Sequence, residues 1–367
     1  MKNKLFIIYI VIIFILLMLF GISLSIGAEK ISFKEMISCL FDLEDSDSLK
    51  FKRIIVLDLR LPRILLVVIT GMLLGGSGAI FQMYFRNSLA EPALLGISSG
   101  ATLGAVLSIT LIPSTFFGTA LYNSLFSNGP FYAIGQASFI AHLSAAFPYI
   151  SPTSTAAFIG ALFAGLLMML LSFTKAGNNN TVLLLLCGSA LGSLYSAISS
   201  FVLITHTQDL VNTYGWLMGS FNGHGWNELR FILLPAVVSF ALMALLTTKL
   251  DYLNGGEHSA LALGIDVNKT RICVLICGSL AISASVCAGG TIGFIGLMAP
   301  HIVRRLAGPQ AKRLIPLSVL CGAILLLISD TVARTIIAPA ELPAGIITSI
   351  LGVPFFLSLI LCNRSFR

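Results

Sequence analysis

Few folds can accommodate the stretch from Gly289 to Gly352. It holds two apolar runs of membrane-spanning length, interrupted by Gly293, Gly296, Pro300, Pro309, Pro316, Pro339 and Pro343, with Arg304, Arg305, Lys312 and Arg313 gathered between them. In water, a helix-interior glycine costs about 1 kcal/mol and a proline about 3 kcal/mol relative to alanine. Within a bilayer, neighbouring helices satisfy the freed backbone groups, and small residues let helices approach closely. The pattern therefore points to an all-α polytopic membrane protein.

Composition agrees. Of 367 residues, 57% are hydrophobic and 10% charged, and the mean hydropathy is +0.97, outside the range of soluble domains. The net charge of +7 does not imply nucleic acid, because the basic residues sit at the ends of apolar runs, as the positive-inside rule requires. Seven cysteines without a CxxC pair read as apolar packing residues; Cys39, in a polar stretch, has no assigned role. The first apolar run, Leu5 to Ile26, is too long for the core of a secretory signal and suits an uncleaved first helix.

Apolar runs predict about ten transmembrane helices in one domain, at 5–26, 62–84, 93–112, 155–174, 181–204, 229–249, 271–288, 291–307, 314–333 and 344–362. An even number of crossings puts both termini on one side, and the excess of Lys and Arg there makes that side cytoplasmic. Residues 29–58 form an outer loop whose Ile31, Phe33, Met36, Ile37, Leu40 and Phe41 suit a short amphipathic helix on the membrane surface; a solvated loop is the alternative. Gly71 and Gly75, and then Gly96, Gly100 and Gly104, have the GxxxG spacing that strips one face of a helix for close packing. Residues 112–155, rich in Phe, Tyr, Ser, Asn and Pro, read as an outer cap or re-entrant insertion.

Two blocks carry a family resemblance. LRLPRILLVVITGMLLGGSGAIFQMYFRNSLAEPALLGISSGATLGA in the first third, and GFIGLMAPHIVRRL followed by SDTVARTIIAPAELPAGIITSILGVPFF near the end, resemble the FecCD/BtuC-type permeases of iron-siderophore, haem and vitamin B12 ABC importers. The 112–155 insertion departs from that pattern, in which a shorter connection is expected.

The resemblance implies a permease subunit of a bacterial plasma (inner) membrane, importing an iron chelate by alternating access. A ferric siderophore is the first expectation for the cargo, with haem or cobalamin as alternatives. The implied partners are ABC ATPase subunits, an extracytoplasmic substrate-binding protein and a second permease, identical or paralogous. In the cytoplasmic loop 251–270, Glu257, Ser259, Ala260, Leu261, Leu263 and Gly264 match the family's ATPase-coupling helix. Arg60, Arg63 and Arg334 match arginines that receive acidic residues of the binding protein; without the resemblance they read as interfacial snorkelling. The path is expected along the fifth helix, where Ser189, Ser193, Ser196 and Ser200 give a small, mildly polar face.

Other chemistries find little support in the sequence. No Walker A motif occurs, so ATP belongs to the partner ATPase and this chain is expected to bind no cofactor and to have no catalytic residue. Gly96-Ile97-Ser98-Ser99-Gly100 matches the G-x-S-x-G elbow but sits in an apolar helical run; an intramembrane serine hydrolase would lose function on Ser98→Ala. His142, His206, His224, His258 and His301 share no metal-ligand spacing. For His301 a structural hydrogen bond at the interrupted helix is the expectation. Glu91, Asp330 and Glu341 fall near predicted helix ends, which disfavours the runner-up, an ion-coupled secondary transporter. Such a transporter would work without an ATPase.

Overall fold

The computed structural model describes residues 2–27, 29, 31–41, 47–111, 152–173, 181–205 and 210–362; the predicted insertion lies outside them except for its last residues, 152–155. The regular elements among the described residues are all helical, with no strand. Four elements open the chain: α1 (Lys2–Ser25), α2 (Phe33–Phe41), α3 (Asp47–Ile54) and α4 (Leu61–Tyr84). A π turn at Ile55–Arg60 joins α3 to α4 without a break. A 3-10 turn at Pro92–Leu95 leads into α5 (Ile97–Leu111), followed by α6 (Pro152–Ser172), α7 (Thr181–Thr205) and α8 (Leu210–Leu217). The remainder is α9 (Trp226–Asn254), α10 (Glu257–Ala262), α11 (Val267–Gly289), α12 (Ile295–Ala307), α13 (Ala311–Thr335) and α14 (Ala344–Cys362).

Seven helices are long and apolar enough to cross a membrane, and Ile97–Thr110 and Ala344–Leu359 are shorter apolar helices. Helix α12, predicted over 291–307, has only 13 residues and starts at Ile295. The continuous helix Leu49–Tyr84 has 36 residues, about 54 Å at 1.5 Å per residue. That exceeds a hydrocarbon core of about 30 Å, so its first turns project from the face opposite the amino terminus. Helix α2 folds against this projection. Its Met36 and Cys39 are buried with the preceding Ile31 while Phe33 is 64% exposed, so most of the described apolar face is turned towards the chain. Lys52 reaches back to Glu35 at 2.6 Å, and the ammonium holds the Glu35 carboxyl below the usual carboxylate range.

Helix α4 is the centre of the bundle: 83% of its apolar window is buried, against 0% for α1 at the periphery. Its glycines make this possible. A Cβ on Gly71 would lie 2.5 Å from the Gly322 carbonyl oxygen of α13, and one on Gly75 would overlap that of Ser318. Gly96, at the entry to α5, lies against Gly188 and Gly192 of α7, and α5 sets Gly100 against Gly160 and Ala164 of α6 and Gly104 against Ala156. The G-x-S-x-G match is thus part of a packing face, with no strand before it. We expect Gly75→Val to destabilise the protein by the roughly 1–3 kcal/mol typical of overpacking, or more. Gly21→Ala, whose Cβ would meet nothing within 4 Å, should leave the denaturation midpoint in detergent unchanged.

Candidate functional site

Helices α11 and α12 are joined by a non-helical break. The break, Gly290 to Phe294, lies inside the bundle, since the Phe294 ring packs where a Gly352 Cβ would stand, two turns into α14. Phe294 is left-handed at φ 68°, a conformation costly for a bulky side chain, and two distant residues stabilise the turn. Glu91 accepts a 2.7 Å hydrogen bond from the Phe294 N–H, capping the exposed N–H end of α12. Pro300 has no N–H to offer the Gly296 carbonyl one turn earlier; the Gln82 amide of α4 donates to the Gly296 and Leu297 carbonyls instead, both at 3.4 Å. Gly78 permits this, because any Cβ there would overlap the Gly296 carbonyl. On the other side of the break, Thr291 Oγ1 donates to the Leu217 carbonyl and the Gly345 N–H donates to Gly219 at 3.0 Å. One side-chain bond and one backbone bond thereby tie the end of α8, the break and α14 together. Such irregular backbone is tolerated at membrane depth only where protein or a cavity surrounds it.

His301 makes no structural hydrogen bond here. Among the described residues neither ring nitrogen has a partner, and the ring instead meets Phe355 edge-on at 5.8 Å.

At the face opposite the amino terminus, Arg60, Arg63 and Arg334 converge, yet all three are buried, at 6%, 8% and 6% exposure. Arg63 forks between Glu341 at 2.7 Å and Asp330 at 2.9 Å. Arg334 Nε lies 3.0 Å from Asp330 Oδ2, an ion contact whose angle falls short of a hydrogen bond, while its Nη2 donates to Ser23 Oγ at 2.6 Å. Arg60 donates to the Leu24 carbonyl at 2.7 Å and to those of Ser25 and Glu29. The guanidiniums cement α1, α4 and α13 together and do not stand out as surface forks. Sequence reasoning placed Asp330 near a helix end and missed its role as the fully buried carboxylate between two arginines. The i,i+4 spacing of Asp330 and Arg334 was the available signal.

At the amino-terminal face, α10 is a short helix fixed at both ends. Gly256 enters it at φ 117° and Gly264 leaves it at φ 77°, a left-handed end closed by Ile265 N–H on the Ala260 carbonyl at 3.0 Å. Ala260 is fully buried beneath it, whereas Leu261 and Leu263 are 57% and 62% exposed and Ser259 and Gly264 are exposed too. Asp266 caps α11, its Oδ1 accepting from Lys269 N–H at 3.0 Å, and this bond holds its carboxyl below the usual range.

On α7, Ser189, Ser193, Ser196 and Ser200 are all exposed. Steps of four, three and four residues place them in one stripe. The hydroxyls of Ser189 and Ser193 bond back to their own helix at 2.8 and 3.0 Å, and Gly188 and Gly192 are buried against Gly96 behind them.

A buried break between two helices, a short helix fixed at both ends with bared leucines and a serine stripe on a spanning helix fit a polytopic membrane permease. The chain belongs to the FecCD transport family, whose profile matches residues 15–362. It is 35% identical to the Fe(3+)-citrate import system permease protein YfmE of Bacillus subtilis, over 94% of this chain and 92% of that protein. It is 36% identical to the hemin transport system permease protein HmuU of Yersinia pestis, with the same coverages of 94% and 92%. A solved metal-chelate-type ABC transporter in an inward-facing conformation superimposes with a TM-score of 0.75 at 28% identity, over 98% of this chain and 99% of that one. The chain is thus a membrane permease subunit of an ABC importer, without an ATPase site of its own.

Proposed function

We propose that this permease carries a ferric chelate between two copies of itself, with α7 lining the path. The observation that carries this reading is the serine stripe. Four exposed hydroxyl-bearing residues on a spanning helix suit a water-containing path better than lipid. Because the described hydroxyls of Ser189 and Ser193 are satisfied by their own helix, the wall offers polarity without a strong binding site, as a large hydrophilic cargo needs in order to slide. The cargo class rests on relatives named for ferric citrate and hemin, both iron complexes.

The amino-terminal face is then cytoplasmic, consistent with Lys4, Arg86, Lys249, Lys269, Arg304, Arg305, Lys312 and Arg313 along it. Helix α10 docks into the ATPase through Leu261 and Leu263, backed by Ala260. A substrate-binding protein docks on the opposite face. The three arginines exceed Asp330 and Glu341 by one positive charge, so the buried cluster attracts carboxylates from below the surface. Glu341, its side chain 27% exposed, is the member an incoming acid would displace.

The test is ATP hydrolysis by the permease reconstituted in liposomes with its ATPase and binding protein, with ferric citrate, a ferric hydroxamate or haemin added in turn. Stimulation by one iron complex supports the reading. ATPase association with stimulation by none of them removes the ferric-chelate assignment, and uptake that follows an ion gradient without any ATPase removes the importer assignment.

A further inference from the structure

The end of α9, one turn before the coupling helix α10, is bonded to two other helices by charged side chains that the docking surface does not use. Asp251 Oδ1 accepts from the Ala311 N–H at 2.6 Å and its Oδ2 from the Lys312 N–H at 3.4 Å. These are orphan donors of the first turn of α13, whose own cap residue, Gln310, makes no side-chain cap. Asp251 is a poor choice for its own helix, since a carboxylate in the last turn opposes the helix dipole; its placement makes sense only for α13. At the same level Arg86 Nη2 donates to the Leu253 carbonyl at 2.7 Å, which also accepts from the Gly256 N–H at 3.0 Å, at the end of α9, where a cation is favourable. Arg86 holds a left-handed backbone at φ 49° just past the end of α4, a conformation that costs a non-glycine residue about 1–2 kcal/mol. Between the end of α9 and the turn before α13 lies an open groove of about 630 Å³, bordered by Thr248, Tyr252, Pro309 and Gln310. Beside it the join combines the buried Leu250, Leu253, Ala311 and Leu314 with these side-chain bonds.

We infer that Asp251 and Arg86 are the positioning residues through which motion of the coupling helix reaches the transmembrane bundle. Asp251 drives α13 and Arg86 drives α4, and the glycine contacts of Gly71 and Gly75 with Gly322 and Ser318 make those two helices one body. That body carries the buried arginine cluster at its far end and, through Gln82 and the loop bearing Glu91, holds the helix break. A push on α10 is therefore delivered to both faces of the membrane at once. The inference rests on the proposed docking of the ATPase at α10.

The experiment compares Asp251→Ala, Asp251→Asn, Arg86→Ala and Arg86→Lys with wild type, in the full complex with its ATPase and binding protein. Three quantities are read: ATPase association, ATP hydrolysis, and the ATP-dependent change in distance between spin labels on Ile337→Cys of the two copies. Ile337 is 47% exposed beyond the end of α13, and this readout needs no cargo. The alanine variants are expected to assemble and hydrolyse ATP while the fraction of complexes that shift falls about tenfold, the scale of a single coupling interaction. The Asn and Lys variants, which keep one acceptor or donor, should recover part of the shift. A wild-type-sized shift in both alanine variants overturns the inference. So does loss of assembly in all four variants, which would make these residues part of folding or docking. Failure of wild type to associate with any ATPase would instead remove the importer reading beneath it.

Discussion

Arg63→Ala is expected to destabilise the protein by roughly 3–5 kcal/mol, the cost of leaving buried charge unpaired. Its guanidinium bonds Asp330, fully buried at 0% exposure, and Glu341 together. Without it Asp330 keeps only the poorly angled contact with Arg334, and Glu341 loses its partner at 2.7 Å. Arg63→Lys should fall between wild type and alanine, because a point charge cannot bridge two carboxylates as a planar fork does. Thermal denaturation of the purified permease in detergent measures the order of the three. If Arg63→Ala melts like wild type, the cluster is not what joins α4 to α13. Charge reversal here also cannot serve as a clean test of binding-protein docking, since the fold would fail first.

The second large effect belongs to α10. Leu261→Glu combined with Leu263→Glu should leave the permease folded, since both side chains are exposed in the isolated chain. Association with the ATPase should weaken about a hundredfold, because an interface hot spot carries roughly 2–4 kcal/mol. Titration of ATPase onto the liposome-bound permease reads this directly, and ATP-driven uptake should vanish with it. Unchanged association would move the docking surface away from α10.

Much of the fold was legible before any coordinates. Apolar runs marked every described long helix, and the glycines at Gly71, Gly75, Gly96, Gly100 and Gly104 marked the close contacts. Helix α12 was the exception: its apolar run extends to Thr291, but its helical geometry begins at Ile295. Its boundary is set by Glu91, 203 residues away, and no local propensity encodes that. For His301, Pro300 beside it suggested a hydrogen bond at a broken helix. The proline's orphaned carbonyl is instead reached by Gln82 from α4, and the imidazole packs on Phe355.

The candidate site divides in the same way. Residues 257–264 were legible as a short helix because its fixing devices are local: Gly256, Gly264 and the buried Ala260 lie within a few residues of one another. The arginines were recognisable as a group, but what each one touches was not. Arg63 and Asp330 are 267 residues apart, and no local pattern pairs them.

What the sequence by itself determined is the class of architecture, because hydrocarbon leaves the backbone one economical solution. Each apolar run must satisfy its own N–H and C=O groups as a helix, and the positions of Gly and the basic residues then indicate which faces meet and which ends stay in water. What only the tertiary structure decided is how the charges are spent. A guanidinium or carboxylate can satisfy partners on any helix within reach, and that choice depends on the relative placement of segments hundreds of residues apart. The chain thus advertised that it is a permease, while the structure alone showed that Arg60, Arg63 and Arg334 are buried rivets and that Asp251 and Arg86 bond the end of α9 to the start of α13 and to the chain just past α4.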